Sequence, residues 1–104
     1  MSSPESKNHW TFLSNHAQVL LCIARDPGVR LRDIAQSVGI TERAAQRLVS
    51  DLADAGYIDR ERVGRRSHYR LNGEVRMRHV AQADYEINEL LTAFQLPESP
   101  GDSP

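Results

Sequence analysis

Apolar residues recur at helical spacing in the middle of the chain. Ala45, Leu48 and Leu52 follow one another at steps of three and four residues, as on the buried face of a single helix. Thr41 supplies a hydroxyl that can cap the amino end of this helix. Gly56 supplies a residue that tolerates the left-handed conformation in which helices often end. The pattern therefore predicts one helix between Thr41 and Gly56.

Two further helical patterns precede this helix. From about Trp10 to Arg25 the chain is apolar over much of its helical circumference, which indicates a helix packed between two partners. Residues 26–28, Asp-Pro-Gly, end that helix, and residues 31–38 carry the next amphipathic pattern. Gly39 stands at the turn that follows, where a positive φ is needed. The order of these elements predicts a helix-turn-helix.

Residues 57–71 are typical of a β-hairpin. Two short runs of β-branched and aromatic residues flank Gly64, and Ile58, Tyr69 and Leu71 are expected to face the core. A two-stranded wing after a helix-turn-helix defines the winged-helix variant. We therefore predict a mainly α fold with a small β-hairpin over residues 9–71, preceded by a disordered lead over residues 1–8.

The C-terminal third contains a coiled-coil spacing. Steps of three and four residues connect Val80, Ala83, Ile87, Leu90 and Phe94, which predicts a helix that reaches about Phe94. We interpret residues 72–96 as a C-terminal dimerisation helix and residues 97–104 as a disordered tail. The alternative, that this seam packs only on the first helix of the same chain, stays open.

Charge is unevenly distributed along the chain, although the formal net charge is only −1. Residues 25–70 contain ten arginines and seven acidic residues, whereas residues 72–104 contain two arginines and six acidic residues. This asymmetry favours a polyanion-binding face away from an assembly helix. The single Cys22 excludes an internal disulfide and suits a reducing cytoplasm. No apolar run could span a membrane and no signal peptide opens the chain, so we expect a cytoplasmic protein.

Most of the chain, from about residue 10 to residue 94, resembles small bacterial winged-helix transcriptional regulators of the broad MarR/ArsR kind, and actinobacterial ones in particular. Residues 30–35, 39–47, 51–57 and 64–69 carry the resemblance. It implies that the helix after Thr41 enters the DNA major groove, that the wing follows the minor groove or backbone, and that the protein is a symmetric dimer. The paired cysteines of metal-sensing relatives are missing, and the chain is too short for the full set of flanking helices of ligand-sensing ones.

The candidate binding residues follow from helix faces and from the resemblance. Arg can bind guanine and Gln can bind adenine through paired hydrogen bonds, and Ser can bind either bases or the backbone. The candidate base-reading residues are Arg43, Gln46, Arg47 and Ser50. The candidate phosphate and wing residues are Arg30, Arg32, Thr41, Arg62, Arg65, Arg66, Ser67 and His68, with Arg60 beside them. The candidate dimer-interface residues are Phe12, Leu13, His16, Leu20, Val80, Ala83, Ile87, Leu90, Leu91 and Phe94.

The sequence favours a regulator over an enzyme. It contains no nucleophile elbow and no phosphate-cradling glycine loop, and its four histidines make no metal-binding spacing with Cys22 or with a carboxylate cluster. We therefore expect no catalysis, no cofactor and no metal. The expected partners are double-stranded DNA with a two-fold symmetric site and a second copy of the chain, with repression as the outcome. A winged-helix protein-interaction module without specific DNA binding is the alternative, and the sequence does not identify any effector.

Overall fold

A computed structural model describes residues 10–94 and 96. The elements in chain order are α1 (Asn15–Arg25), α2 (Leu31–Val38), α3 (Glu42–Asp54), β1 (Ile58–Val63), β2 (Arg66–Leu71), a 3-10 turn (Val80–Gln82) and α4 (Ile87–Ala93). The two strands pair in an antiparallel hairpin. This arrangement confirms the predicted winged helix-turn-helix and the presence of a C-terminal helix. The lead at residues 1–8 and the tail at residues 97–104 lie outside the described residues.

The first helix begins later than predicted. The Ser14 hydroxyl accepts a hydrogen bond from the backbone N–H of Ala17 at 3.2 Å, and this cap makes Asn15 the first helical residue. Trp10 and Phe12 therefore precede the helix and do not lie on its apolar face. The second helix has the predicted bounds, and Gly39 ends it with φ at +85°, as the turn requires.

The core lies where the three N-terminal helices meet the base of the hairpin and α4. Its fully buried side chains are Val19, Ile23, Ile34, Val49, Ile58 and Leu91. Tyr69 and Leu71 of β2 are buried beside them, which confirms their predicted inward orientation. The hairpin is therefore attached to the helical core through its base, while its far end extends into solvent.

Strand register defines the tip of the wing. Ile58 pairs with Leu71 at the base and Val63 pairs with Arg66 at the far end, so Gly64 and Arg65 form the connection. Gly64 has φ at +65°, a conformation that side chains rarely adopt.

Hydrogen bonds from a single residue fasten the base of the hairpin to the end of α3. The Asn72 backbone N–H donates to the Tyr57 carbonyl at 2.8 Å. The Asn72 amide group donates to the Gly56 carbonyl at 3.0 Å. The wing therefore begins from a fixed position relative to α3.

The C-terminal segment differs from the single helix that the sequence predicts. Backbone N–H groups of Met77 and Ile87 donate to the carbonyls of Tyr85 and Val75, both at 3.0 Å, so the chain pairs with itself in an antiparallel, extended arrangement. Backbone groups used in this way are not available for helical hydrogen bonds. A helix consequently forms only from Ile87, and the predicted seam from Val80 to Phe94 is not one continuous helical face.

Three residues that we assigned to the dimer interface are instead part of the chain's own core. Leu20 and Leu91 are 2% and 0% exposed, and Ile87 is also buried. Side chains already packed inside one protomer offer almost no surface to another, so this part of the assignment is corrected. The remaining candidates are exposed or half-buried: Phe12, Leu13, His16, Val80, Ala83, Leu90 and Phe94.

Candidate nucleic-acid interface

Helix α3 is fixed on its inner side and free on its outer side. Ala45, Leu48 and Val49 are buried against the core. The Thr41 hydroxyl accepts a hydrogen bond from the Ala44 N–H at 3.0 Å, which confirms the predicted cap. With its amino end capped and its apolar stripe buried, the helix presents its polar side in a defined orientation.

The outer side of α3 carries the residues predicted to read bases. Arg43, Gln46 and Arg47 are exposed, and Ser50 is half-buried. Within the described part of the chain, neither arginine is paired with a carboxylate. Their N–H donors therefore remain available to an external acceptor, such as a base edge or a phosphate oxygen.

The wing is held against the loop between α1 and α2. The Tyr69 N–H of β2 donates to the Pro27 carbonyl at 2.9 Å. Arg66 donates from Nη2 to the Gly28 carbonyl at 2.6 Å, and the Gly28 N–H donates to the Asp26 carboxylate at 3.1 Å. A two-stranded hairpin is marginally stable by itself, so these contacts help to fix its orientation.

A cationic cleft separates α3 from the wing. The cleft has a volume of about 430 Å³, and Gln46 and Val49 of α3 form one wall. Arginines from three elements line it: Arg30 before α2, Arg60 of β1, and Arg65 and Arg66 at the tip of the wing. None of its described lining residues is acidic. Clustered cations around a concave surface focus a positive potential that attracts polyanions.

Four of the eight predicted phosphate and wing residues line this cationic cleft: Arg30, Arg65, Arg66 and Ser67. Ser67 lines the cleft with the arginines, whereas Arg32 lies in the first turn of α2 and does not line it. Arg62 and His68 are exposed on the strands of the wing. Arg66 has a second role as a hydrogen-bond donor within the chain, which the sequence did not reveal.

Two groups away from this face have raised pKa values. Burial raises the pKa of the Cys22 thiol, against the opposing effects of Arg25 and of a hydrogen bond with Ser37. Burial also raises the pKa of the Tyr57 phenol, whose hydroxyl donates to the Arg76 carbonyl at 2.9 Å. Both groups are thereby held in their neutral forms, so neither supplies a reactive anion near neutral pH.

His16, a candidate dimer-interface residue, contacts a carboxylate of its own chain. Its Nε2 lies 2.8 Å from the carboxylate of Asp51 on α3, and both side chains are about half exposed. The contact joins the first turn of α1 to α3 across 35 residues of sequence. Within residues 10–94 and 96, no group of three His, Cys, Asp or Glu side chains is arranged to hold a metal ion. No helix in this part of the chain is long and apolar enough to cross a membrane.

Comparison with known proteins supports the fold and its class. A family model described as the MarR family matches residues 11–66, which include the helix-turn-helix and the first strand of the wing. Comparisons with curated proteins and with solved structures gave no match. The family model covers more than half of the 104 residues, and the described structure has the winged-helix architecture of a transcription regulator. The chain therefore belongs to the MarR family.

Proposed function

We propose that the protein binds double-stranded DNA in a sequence-specific manner as a homodimer and represses transcription. The observation that carries this proposal is the cationic cleft between α3 and the wing, which is lined by four arginines. Membership of the MarR family supports DNA binding as the general activity. The assignment of individual residues rests on their position around the cleft and on the outer side of α3.

Residues on α3 are proposed to read the sequence. Arg43 and Arg47 suit paired hydrogen bonds to guanine, and Gln46 suits adenine. Because Gln46 also lines the cleft, it lies where the base-reading helix adjoins the phosphate-binding wing. Ser50, being half-buried, has access only to groups close to the helix.

The phosphate contacts are proposed to come from the elements on either side of α3. Arg30 and Arg32 flank the start of α2, and Arg65 occupies the tip of the wing. Thr41 uses its hydroxyl oxygen as an acceptor in the helix cap, and its O–H hydrogen stays available for a phosphate. The other proposed contacts come from the wing: Arg62, Arg66, Ser67 and His68.

A dimer would place two such faces on DNA. Its α3 helices would enter successive major grooves, at half-sites about 34–36 Å apart. A protein bound across two half-sites denies that DNA to polymerase, which is why repression is the proposed outcome. The surface proposed for self-association consists of exposed apolar residues outside the cationic cleft, among them Phe12, Val80 and Phe94.

Selection of bound sites from a random pool of double-stranded DNA tests this function. We expect a two-fold symmetric preferred site that is retained at physiological salt. Arg47→Ala and Gln46→Ala should each cost about 1–3 kcal/mol of binding free energy and relax the preference at one position of each half-site. Arg25→Ala, which removes an exposed arginine outside the cleft, is the matched control.

Two results would contradict the proposal. An unchanged preferred site and affinity for Arg47→Ala would exclude its base-reading role. A pool with no enriched sequence at physiological salt would favour the alternative, a winged-helix module that binds proteins.

A further inference from the structure

We propose that His16 is a positioning residue for DNA binding, because it holds the carboxylate of Asp51 toward α1 and leaves the guanidinium of Arg47 free for a base. This inference rests on the proposed function, since it requires that Arg47 reads a base. Neither His16 nor Asp51 is among the residues assigned to DNA above. Their contact joins the first turn of α1 to α3, with Nε2 of His16 2.8 Å from a carboxylate oxygen of Asp51.

Asp51 lies on the same side of α3 as the residues proposed to read bases. It follows Arg47 by four residues, and side chains at this spacing are neighbours on a helix surface. Arg43 precedes Arg47 by the same interval, so the three side chains form one row along the outer side of the helix. This row therefore ends in a carboxylate beside the guanidinium that is proposed to bind a base.

Opposite charges at this spacing attract each other, yet the structure pairs Asp51 with His16. In the described part of the chain, His16 is the only basic side chain within ion-pair distance of that carboxylate. The Asp51 side chain is 51% exposed, so burial does not hold it in place, and Arg47 is exposed as well. The contact with His16 is thus the interaction that keeps the carboxylate away from Arg47.

The chemistry of the contact suits this role. An ionised carboxylate can only accept a hydrogen bond, so Nε2 of His16 carries the hydrogen and donates it to Asp51. A protonated ring keeps that donor and adds a positive charge, so both forms of His16 retain the contact. Within a helix, a basic residue followed by its acidic partner is the weaker of the two possible orders. The contact from α1 therefore prevails over the pair that α3 would form by itself.

Two other charged groups lie near this contact without taking part in it. Asp54 and Arg78 line the same cleft as His16 and Asp51, and neither forms an ion pair with any described residue. Asp54 follows Arg47 by seven residues, so it carries the same charge on the same side of α3 but lies a further turn away. Asp54 is therefore the matched acidic control for Asp51.

Two alanine variants that break the same contact test the proposal. His16→Ala releases Asp51 to pair with Arg47, whereas Asp51→Ala removes the competing carboxylate. In fluorescence anisotropy with the selected DNA site, His16→Ala should weaken binding by the dimer about 2–5-fold, as expected for one such pair in each protomer. Asp51→Ala should bind at least as tightly as the wild type, and His16→Ala/Asp51→Ala should bind as Asp51→Ala does.

The opposite behaviour of these variants distinguishes positioning from a merely structural role. A contact that only held α1 on α3 would be lost in both variants, and both would then weaken DNA binding by similar factors. His16→Ala should weaken the Asp54→Ala variant by the same factor as it weakens the wild type, because Asp54 is not the neighbour of Arg47. In an Arg47→Ala background, His16→Ala should have no further effect on affinity.

Nitrogen-15 relaxation of arginine side chains in the DNA-free chain gives an independent test. The Nε–H group of Arg47 should be mobile in the wild type, more ordered in His16→Ala, and mobile again in His16→Ala/Asp51→Ala. An unchanged Arg47 side chain in His16→Ala, or an ordering of Arg78 in its place, would overturn the proposal.

The outcomes separate this inference from the function on which it rests. Equal losses of affinity in His16→Ala and Asp51→Ala, or a loss in neither, overturn the positioning role and leave the proposed function standing. If Arg47→Ala binds the selected site with unchanged affinity, base reading by Arg47 fails, and the positioning role fails with it whatever the relaxation data show.

Discussion

Replacement of Arg66 should affect both folding and DNA binding, whereas replacement of its neighbour Arg65 should affect DNA binding alone. Both side chains line the cationic cleft, but only Arg66 donates a hydrogen bond to the Gly28 carbonyl, at 2.6 Å. The two residues therefore separate the electrostatic role of the wing from its attachment to the helices.

The magnitudes follow from these contacts. A hydrogen bond from a charged donor contributes about 1.5–3 kcal/mol, and because Arg66 is exposed we expect a contribution at or just below this minimum, about 1–1.5 kcal/mol. Arg66→Ala should lower the free energy of unfolding by this amount, whereas Arg65→Ala should change it by less than about 0.5 kcal/mol. Each lost phosphate contact should make the slope of log K against log salt concentration shallower by about 0.9 per protomer.

Urea unfolding and salt-dependent DNA binding measure the two effects separately. Arg65→Ala should give a shallower slope with unchanged stability, and Arg66→Ala should give a shallower slope with reduced stability. Arg66→Lys keeps the charge but not the planar donor group, so it should retain the slope and lose stability. Equal stabilities for the two alanine variants would refute the anchoring role of Arg66. An unchanged slope for Arg65→Ala would refute a phosphate contact at the tip.

Three further predictions concern folding and chemistry away from the wing. Thr41→Ala should lower the free energy of unfolding by about 1 kcal/mol because it removes the cap of α3. Thr41→Ser keeps a hydroxyl at this position and should retain most of that stability. Equal losses for the two variants in urea titrations would contradict this prediction. Gly73→Ala should destabilise the chain by about 1–3 kcal/mol, because the new Cβ would overlap with the side-chain amide of Asn88. Adding Asn88→Ala to it should cost less than the sum of the single changes, and strict additivity would show that the two positions do not interact. Cys22 should react with thiol reagents more slowly in the native chain than in urea at pH 8, because burial raises the pKa of its thiol. The stability that the neutral thiol contributes is complete below the ordinary thiol pKa and declines as the pH rises above it. Equal reaction rates in the two states would contradict this prediction.

The elements that the sequence predicted well are those determined by local spacing. The bounds of α2 match the prediction, and Thr41 caps α3 as its position before an amphipathic run indicated. The base of the hairpin was also predictable, because Ile58 and Tyr69 are apolar at inward positions on either side of a glycine turn. In the same way, the arginines on the outer side of α3 could be located from helical periodicity alone.

The features that the sequence did not predict depend on contacts between distant residues. Arg66 and Gly28 are 38 positions apart, and no periodicity indicates that the side chain of one meets the carbonyl of the other. In the C-terminal segment, the steps of three and four residues fitted a long helix. Extended pairing around Tyr85 and Ile87 prevailed there, so tertiary contacts overrode a local preference.

The loop at residues 26–28 influences how the domain would bind DNA in the proposed complex. It follows α1 directly, and its carbonyls at Pro27 and Gly28 receive hydrogen bonds from β2, so it acts as a rigid bracket between the first helix and the hairpin. These hydrogen bonds restrain the wing from moving independently of the helices. In the proposed DNA complex, such a restrained wing would favour sites whose groove shape already fits its position.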